Sequence, residues 1–150
     1  LHTMQYTEIL EGADAWFVAR LLLPDQAKLS QADILENSTT AISVQVFDIS
    51  SETTDENSSG GGRQYSENVS SVGTDDHDII LLATSGDPLI TDGYWNGTDD
   101  EGYNFRYRLQ NSLALLEGGR RYRVEFRIKT TSFGYIYWTA GLYTRSMLLE

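Results

Sequence analysis

An all-β fold, a single antiparallel β-sandwich spanning residues 1–150, follows from three observations. First, residues 102–109 and 121–130 alternate strictly: Tyr103, Phe105, Tyr107 and Leu109 oppose Asn104, Arg106 and Arg108, and Tyr122, Val124, Phe126 and Ile128 oppose Arg121, Arg123, Arg127 and Lys129. Period two with one apolar face marks strands over a core. Second, the eleven residues between them, 110–120, are too many for a tight hairpin turn and suit a corner that carries the chain from one sheet to the other. Third, a chain of 150 residues can bury a core without staples, and it has no cysteine, which excludes disulfides, zinc–thiolate sites and cysteine nucleophiles.

Taken in order, residues 6–10 predict a short edge strand, followed by a turn at Glu11-Gly12-Ala13-Asp14. Residues 15–23 predict a strand with Phe17, Ala19, Leu21 and Leu23 on one face and Trp16, Val18, Arg20 and Leu22 on the other. That second face is itself largely apolar, which calls for cover by another element or another subunit. Pro24 ends the strand because it has no N–H for the ladder. Ser30-Gln31-Ala32-Asp33 has capping-box spacing before one helical turn at most. Residues 41–50 predict a strand with Ile42, Val44 and Val46 inward and Ser43, Gln45 and Phe47 outward.

Residues 50–64 contain no large apolar group and centre on Asn57-Ser58-Ser59-Gly60-Gly61-Gly62. Such a stretch cannot offset its ordering entropy by burial, so a long flexible loop near 50–70 is expected inside the one domain. Residues 79–83 predict a short buried strand. In the corner, the leucines at 113, 115 and 116 are expected to plug the end of the core, with Gly118 and Gly119 permitting positive φ at the bend. After a turn at 131–134 the chain returns with Ile136, Trp138, Ala140 and Leu142 inward and Tyr135, Tyr137, Thr139 and Gly141 outward.

The net charge of −11 is unevenly spread. Residues 1–102 carry three bases against nineteen acids, and residues 103–150 eight bases against three acids. Nucleic-acid binding across such a surface is disfavoured. The outward arginines Arg106, Arg108, Arg123 and Arg127 read as one basic wall, paired with acidic loops of the same chain or set against an acidic partner. No apolar run is long enough to span a membrane, and Leu1-His2-Thr3-Met4-Gln5 has neither the basic nor the apolar region of a signal peptide. The four Asn-x-Ser/Thr sequons, at Asn37, Asn57, Asn68 and Asn96, are read as chance in a chain rich in Ser and Thr.

Candidate chemistry is sparse. His2 and His77 are not placed for a triad, and no serine lies in Gly-x-Ser-x-Gly. Asp75-Asp76-His77-Asp78 and Asn96-Gly97-Thr98-Asp99-Asp100-Glu101-Gly102 have oxygens for a cation but not the spacing of a calcium loop, and read as solvated turns. No metal, cofactor or catalytic residue is expected, and the chain reads as a non-enzyme. Tyr94, Trp95, Tyr135, Tyr137 and Trp138 are candidates for a sugar-stacking platform or for packing. Tyr94 and Trp95, between Gly93 and Asn96-Gly97, look like an exposed loop tip.

Leu113-x-Leu115-Leu116-Glu117-Gly118-Gly119-x-x-Tyr122-x-Val124-x-Phe126 resembles the corner before the penultimate strand of immunoglobulin-like sandwiches. The resemblance implies that the Tyr122 hydroxyl turns back to backbone upstream. A second stretch, Trp95, Gly102-Tyr103-Asn104-Phe105-Arg106-Tyr107 and Gly118-Gly119-x-x-Tyr122-Arg123-Val124-Glu125-Phe126, resembles virion proteins of tailed phages and prophages. It implies a capsid decoration (cement), neck, baseplate or fibre role in a virion, as a homo-oligomer or against the major capsid, tail or neck proteins. The expected contact residues are Arg106, Arg108, Arg123, Arg127 and Trp16. The alternative is a carbohydrate-binding or adhesin module using Tyr94 and Trp95.

Overall fold

A computed structural model describes residues 5–35, 41–50, 63–69, 82, 86–95 and 98–146. The fold is all-β, with two sheets packed face to face. The large sheet has the order β1-β7-β6-β3-β4, from β1 (Gln5–Leu10), β3 (Ile42–Asp48), β4 (Arg63–Val69), β6 (Arg120–Thr130) and β7 (Gly134–Arg145). The small sheet pairs β2 (Ala15–Ala19) with β5 (Phe105–Leu109). Among the described residues no helix is long and apolar enough to cross a membrane.

The alternating segments lie where their periodicity places them. Phe105, Tyr107 and Leu109 of β5 and Tyr122, Val124, Phe126 and Ile128 of β6 are all buried. The link between β5 and β6 does change sheets. It contains one helical turn, α1 (Asn111–Ala114), pinned by Asn111, whose N–H donates to Asp14 and whose side chain donates to the Ala13 carbonyl. Only Ala114 and Leu116 plug the core there. Leu113 and Leu115 are exposed; Leu115 lies just past α1 as its C-cap, with a positive φ of 53°.

Four further expectations change. The large sheet is not wholly antiparallel: β1 runs parallel to β7, since its turn leads to β2 in the other sheet and no hairpin dictates its direction. The flexible loop expected near 50–70 yields at its C-terminal end to β4, an edge strand paired with β3. Edge strands tolerate polar sequences such as Arg63-Gln64-Tyr65-Ser66-Glu67-Asn68-Val69, so hydropathy does not reveal them. The remainder of that loop lies outside the described residues, as do the strand at 79–83 apart from Leu82, both histidines and the Asp75–Asp78 run. Phe47, though outward by parity, is buried under the Arg123 guanidinium, 5.0 Å from its ring.

Asn104 is the fourth. Parity sets it outward, yet it is fully buried and completes the ladder where β2 ends. Its Oδ1 accepts from the Leu21 N–H at 2.8 Å, and its Nδ2 donates to the Leu21 and Leu29 carbonyls, each at 2.8 Å. The strand expected over 15–23 therefore leaves the main-chain ladder at Arg20, while Leu21 and Leu23 stay buried and fold back on residues 27–29. The predicted capping box at Ser30 is present: the Asp33 carboxylate accepts from the Ser30 N–H at 2.9 Å and opens a single 3-10 turn.

The core between the sheets is aromatic at its centre. Phe126 of β6 meets Phe17 of β2 at 5.8 Å between ring centroids, Phe105 and Tyr107 of β5 at 5.2 and 5.5 Å, and its sheet neighbour Trp138 at 5.1 Å. Truncation of this ring should cost about 3–5 kcal/mol, as large-to-small changes of a buried aromatic do. Asn104→Ala should cost about 3 kcal/mol, because it leaves the Leu21 N–H and the Leu29 carbonyl buried without partners, while the Leu21 carbonyl still accepts from the Leu29 N–H. Urea denaturation of both variants checks these values; a loss under about 1 kcal/mol for Asn104→Ala would show that water or rearranged backbone replaces the amide.

Candidate interaction surface

The outer face of the small sheet gathers most of the sequence-predicted contact residues. Cross-strand register sets Trp16 opposite Arg108 and Val18 opposite Arg106. Tyr94, from a 3-10 turn at Gly93–Trp95, lies beside Trp16 with centroids 5.1 Å apart and planes tilted by 41°. The Arg106 guanidinium sits 4.4 Å from the Tyr94 ring and 5.3 Å from the Trp16 ring, and Arg108 lies 5.6 Å from Trp16. These distances are those of cation–π pairs, which strengthen as the cation loses water. Arg108 also approaches Asp14 at 3.9 Å. Arg106 forms no ion pair with any described residue, and its Nε is buried without a hydrogen-bond partner among them.

A second cluster holds this face in place. Arg20 grips Asp99 with both terminal nitrogens, at 2.9 and 3.1 Å, and also reaches the Gly102 carbonyl. The Trp95 indole N–H donates to the same carboxylate at 2.9 Å, as do the N–H groups of Glu101 and Gly102. The Asp99-Asp100-Glu101 run is thus a buttress around an arginine, with the Asp99 carboxylate fully engaged. Trp95 is buried against Val18 and Tyr103 and is not a loop-tip platform. Asp92 completes the arrangement by accepting from the Tyr94 N–H and the Tyr103 hydroxyl.

The predicted basic wall divides in two. Because β5 and β6 lie in different sheets over one core, Arg106 and Arg108 face one way while Arg123 and Arg127 face the other. Arg123 binds Glu125 at 2.7 Å, and Arg127 lies 4.7 Å from the exposed Tyr135 ring. Tyr135 and Tyr137 are exposed on that opposite face, whereas Trp138 is core. At the corner the Glu117 N–H donates to the Tyr122 hydroxyl at 2.8 Å, the backbone contact expected of Tyr122. Gly119 takes a positive φ of 76°, and a Cβ on Gly118 would strike Glu11 and Ser146. Arg20 and Asp99 escaped sequence reasoning: they are 79 residues apart and each looks like an ordinary solvated charge.

Among the described residues no cluster of three or more His, Asp or Glu side chains is arranged to hold a metal ion. Comparison with protein-family models, curated proteins and solved structures finds no match to this chain.

Two ionisations report on the buttress. The Arg20 guanidinium first, and the Trp95 indole N–H second, hold the Asp99 carboxyl well below the usual carboxylate range. A depressed folded pKa gives stability that is present above the unfolded value near 3.8 and lost as pH falls through the folded one. Trp95 emission should therefore hold through the ordinary carboxylate range and change only in stronger acid, and Asp99→Asn should remove that step. Burial first, and the Asp92 carboxylate second, push the Tyr103 hydroxyl up to about 12. That contribution is present below the ordinary value of 10.0 and lost as pH rises toward 12. Ultraviolet titration of Asp92→Asn should show one tyrosine ionising earlier than in the parent.

Proposed function

We propose that the chain is a non-enzymatic structural protein that docks on a neighbouring protein subunit through the Trp16–Tyr94–Arg106–Arg108 face. The setting to which the resemblance of residues 95–145 points is a phage virion, with the protein acting as a capsid decoration (cement) module. The observation that carries the reading is the Arg106 guanidinium, stacked against two aromatic rings and engaged by no described carboxylate. Protein interfaces concentrate their free energy in Trp, Tyr and Arg side chains held in this way. The two rings hold the guanidinium in place without neutralising it, so its charge can be met by a partner carboxylate.

The partner face is correspondingly acidic. In a homo-oligomer the acid-rich first two-thirds of another copy would supply it; in a particle, the major capsid or a tail or neck protein would. The Tyr122 contact to Glu117 supports an immunoglobulin-like form for the sandwich, as in many modules that work through sheet faces. The carbohydrate alternative loses its platform at Tyr94 and Trp95, since the indole is buried and the phenol ring is flanked by Trp16 and Arg106.

Arg106→Gln keeps much of the aliphatic stem and removes the charge. It should weaken retention on the particle or subunit with which the protein co-sediments by about 10–30-fold, the range of an interface hot spot. The melting temperature should stay near that of the parent. Unchanged retention in Arg106→Gln combined with Trp16→Ala would contradict the assignment.

A further inference from the structure

The large sheet carries an open groove of about 430 Å³ at its β1 edge, lined by Tyr6, Thr7, Glu8, Arg121 and Tyr143. Strand register builds it. Glu8, Tyr143 and Arg121 stand in one row across β1, β7 and β6, and Tyr6, Gly141 and Arg123 in the next. Gly141 leaves the middle of its row without a side chain, and the Tyr6 ring lies down into that space: a Cβ at 141 would collide with Tyr6 Cε1 and Cδ1. The ring is nevertheless 60% exposed, so it is laid against the sheet with much of its surface open.

The charges in the groove are unequal. Glu8 is already paired with Arg145 at 3.1 Å. Arg121 is exposed and makes no ion pair with any described residue. The groove thus presents two phenols and one surplus guanidinium, within the roughly 300–1,000 Å³ of small-ligand sites.

We propose that this groove binds a saccharide that bears a carboxylate, a uronic or sialic acid unit. The C–H face of a pyranose suits the exposed Tyr6 ring, which is amphipathic and already ordered. The single surplus guanidinium matches a single carboxylate in fork geometry. The Tyr143 phenol supplies a donor and an acceptor for ring hydroxyls. This groove is on the large sheet, on the opposite side of the core from the Trp16 face, and the two functions are separable.

The test is an amide NMR titration of the full chain with three probes: sialyllactose, an oligoglucuronate, and lactose as the neutral control. One or both acidic probes should shift amides at residues 6–8, 121 and 143 with millimolar saturation, and lactose should bind at least about tenfold more weakly. Which acidic probe responds distinguishes a sialic from a uronic ligand. Arg121→Gln should abolish the preference over lactose, Tyr6→Ala should weaken binding about tenfold, and Tyr6→Phe should retain it. Both Tyr6 and Arg121 are exposed, so these changes leave the core intact. No response to either acidic probe, equal binding of lactose, or binding unchanged in both Arg121→Gln and Tyr6→Ala would overturn the proposal.

Discussion

The contact of Phe126 with Phe17, Phe105 and Tyr107 is the constraint on which the rest of the structure depends. Among the described residues β2 and β5 hydrogen-bond as named strands only to each other. A two-stranded ribbon is marginal in water alone and needs packing against another layer. The Phe126 cluster supplies that packing at the centre, and Asn104 supplies it at one end by tying β5 to the segment following β2. With the small sheet fixed, the outward side chains of β2 and β5 acquire a defined spacing, and Trp16, Arg106 and Arg108 become a surface with one geometry.

Electrostatics then does two different kinds of work on that surface. Asp99 and Arg20 satisfy each other, and their energy goes into holding the 93–102 segment against Val18 and Tyr103. Arg106 lies over the Tyr94 and Trp16 rings and pairs with no carboxylate among the described residues. A solvated surface ion pair contributes little to stability, but an ordered guanidinium without a carboxylate is pre-organised for a partner. The distinction separates a buttress from a contact within a few side chains of each other.

Much of the core was legible from residues alone. Strict alternation in 105–109 and 120–130 reports burial directly, because a strand side chain has only two faces to choose from. The corner was legible through its length, and Tyr122 through its neighbours. Illegible features share a cause: each depends on a partner distant in the chain. Asn104 looks solvent-facing until the Leu21 and Leu29 carbonyls close over it. Trp95 looks like a loop tip until Asp99 and Tyr103 enclose it. The arginines of β5 and β6 look like one wall, since alternation says which side is outward but not that the two strands belong to different sheets. β4 lacks the apolar alternation that would announce it, being an edge that must stay polar.

The central claim is that the stacked-arginine face of the small sheet is buried in the protein's working assembly. Hydrogen exchange of the isolated chain against the same chain bound to any particle or subunit that retains it addresses this most directly. The account predicts slowed exchange in peptides covering β2, β5 and the Gly93–Trp95 turn on assembly. Protection confined to other strands, with β2 and β5 exchanging as in the free protein, would contradict it.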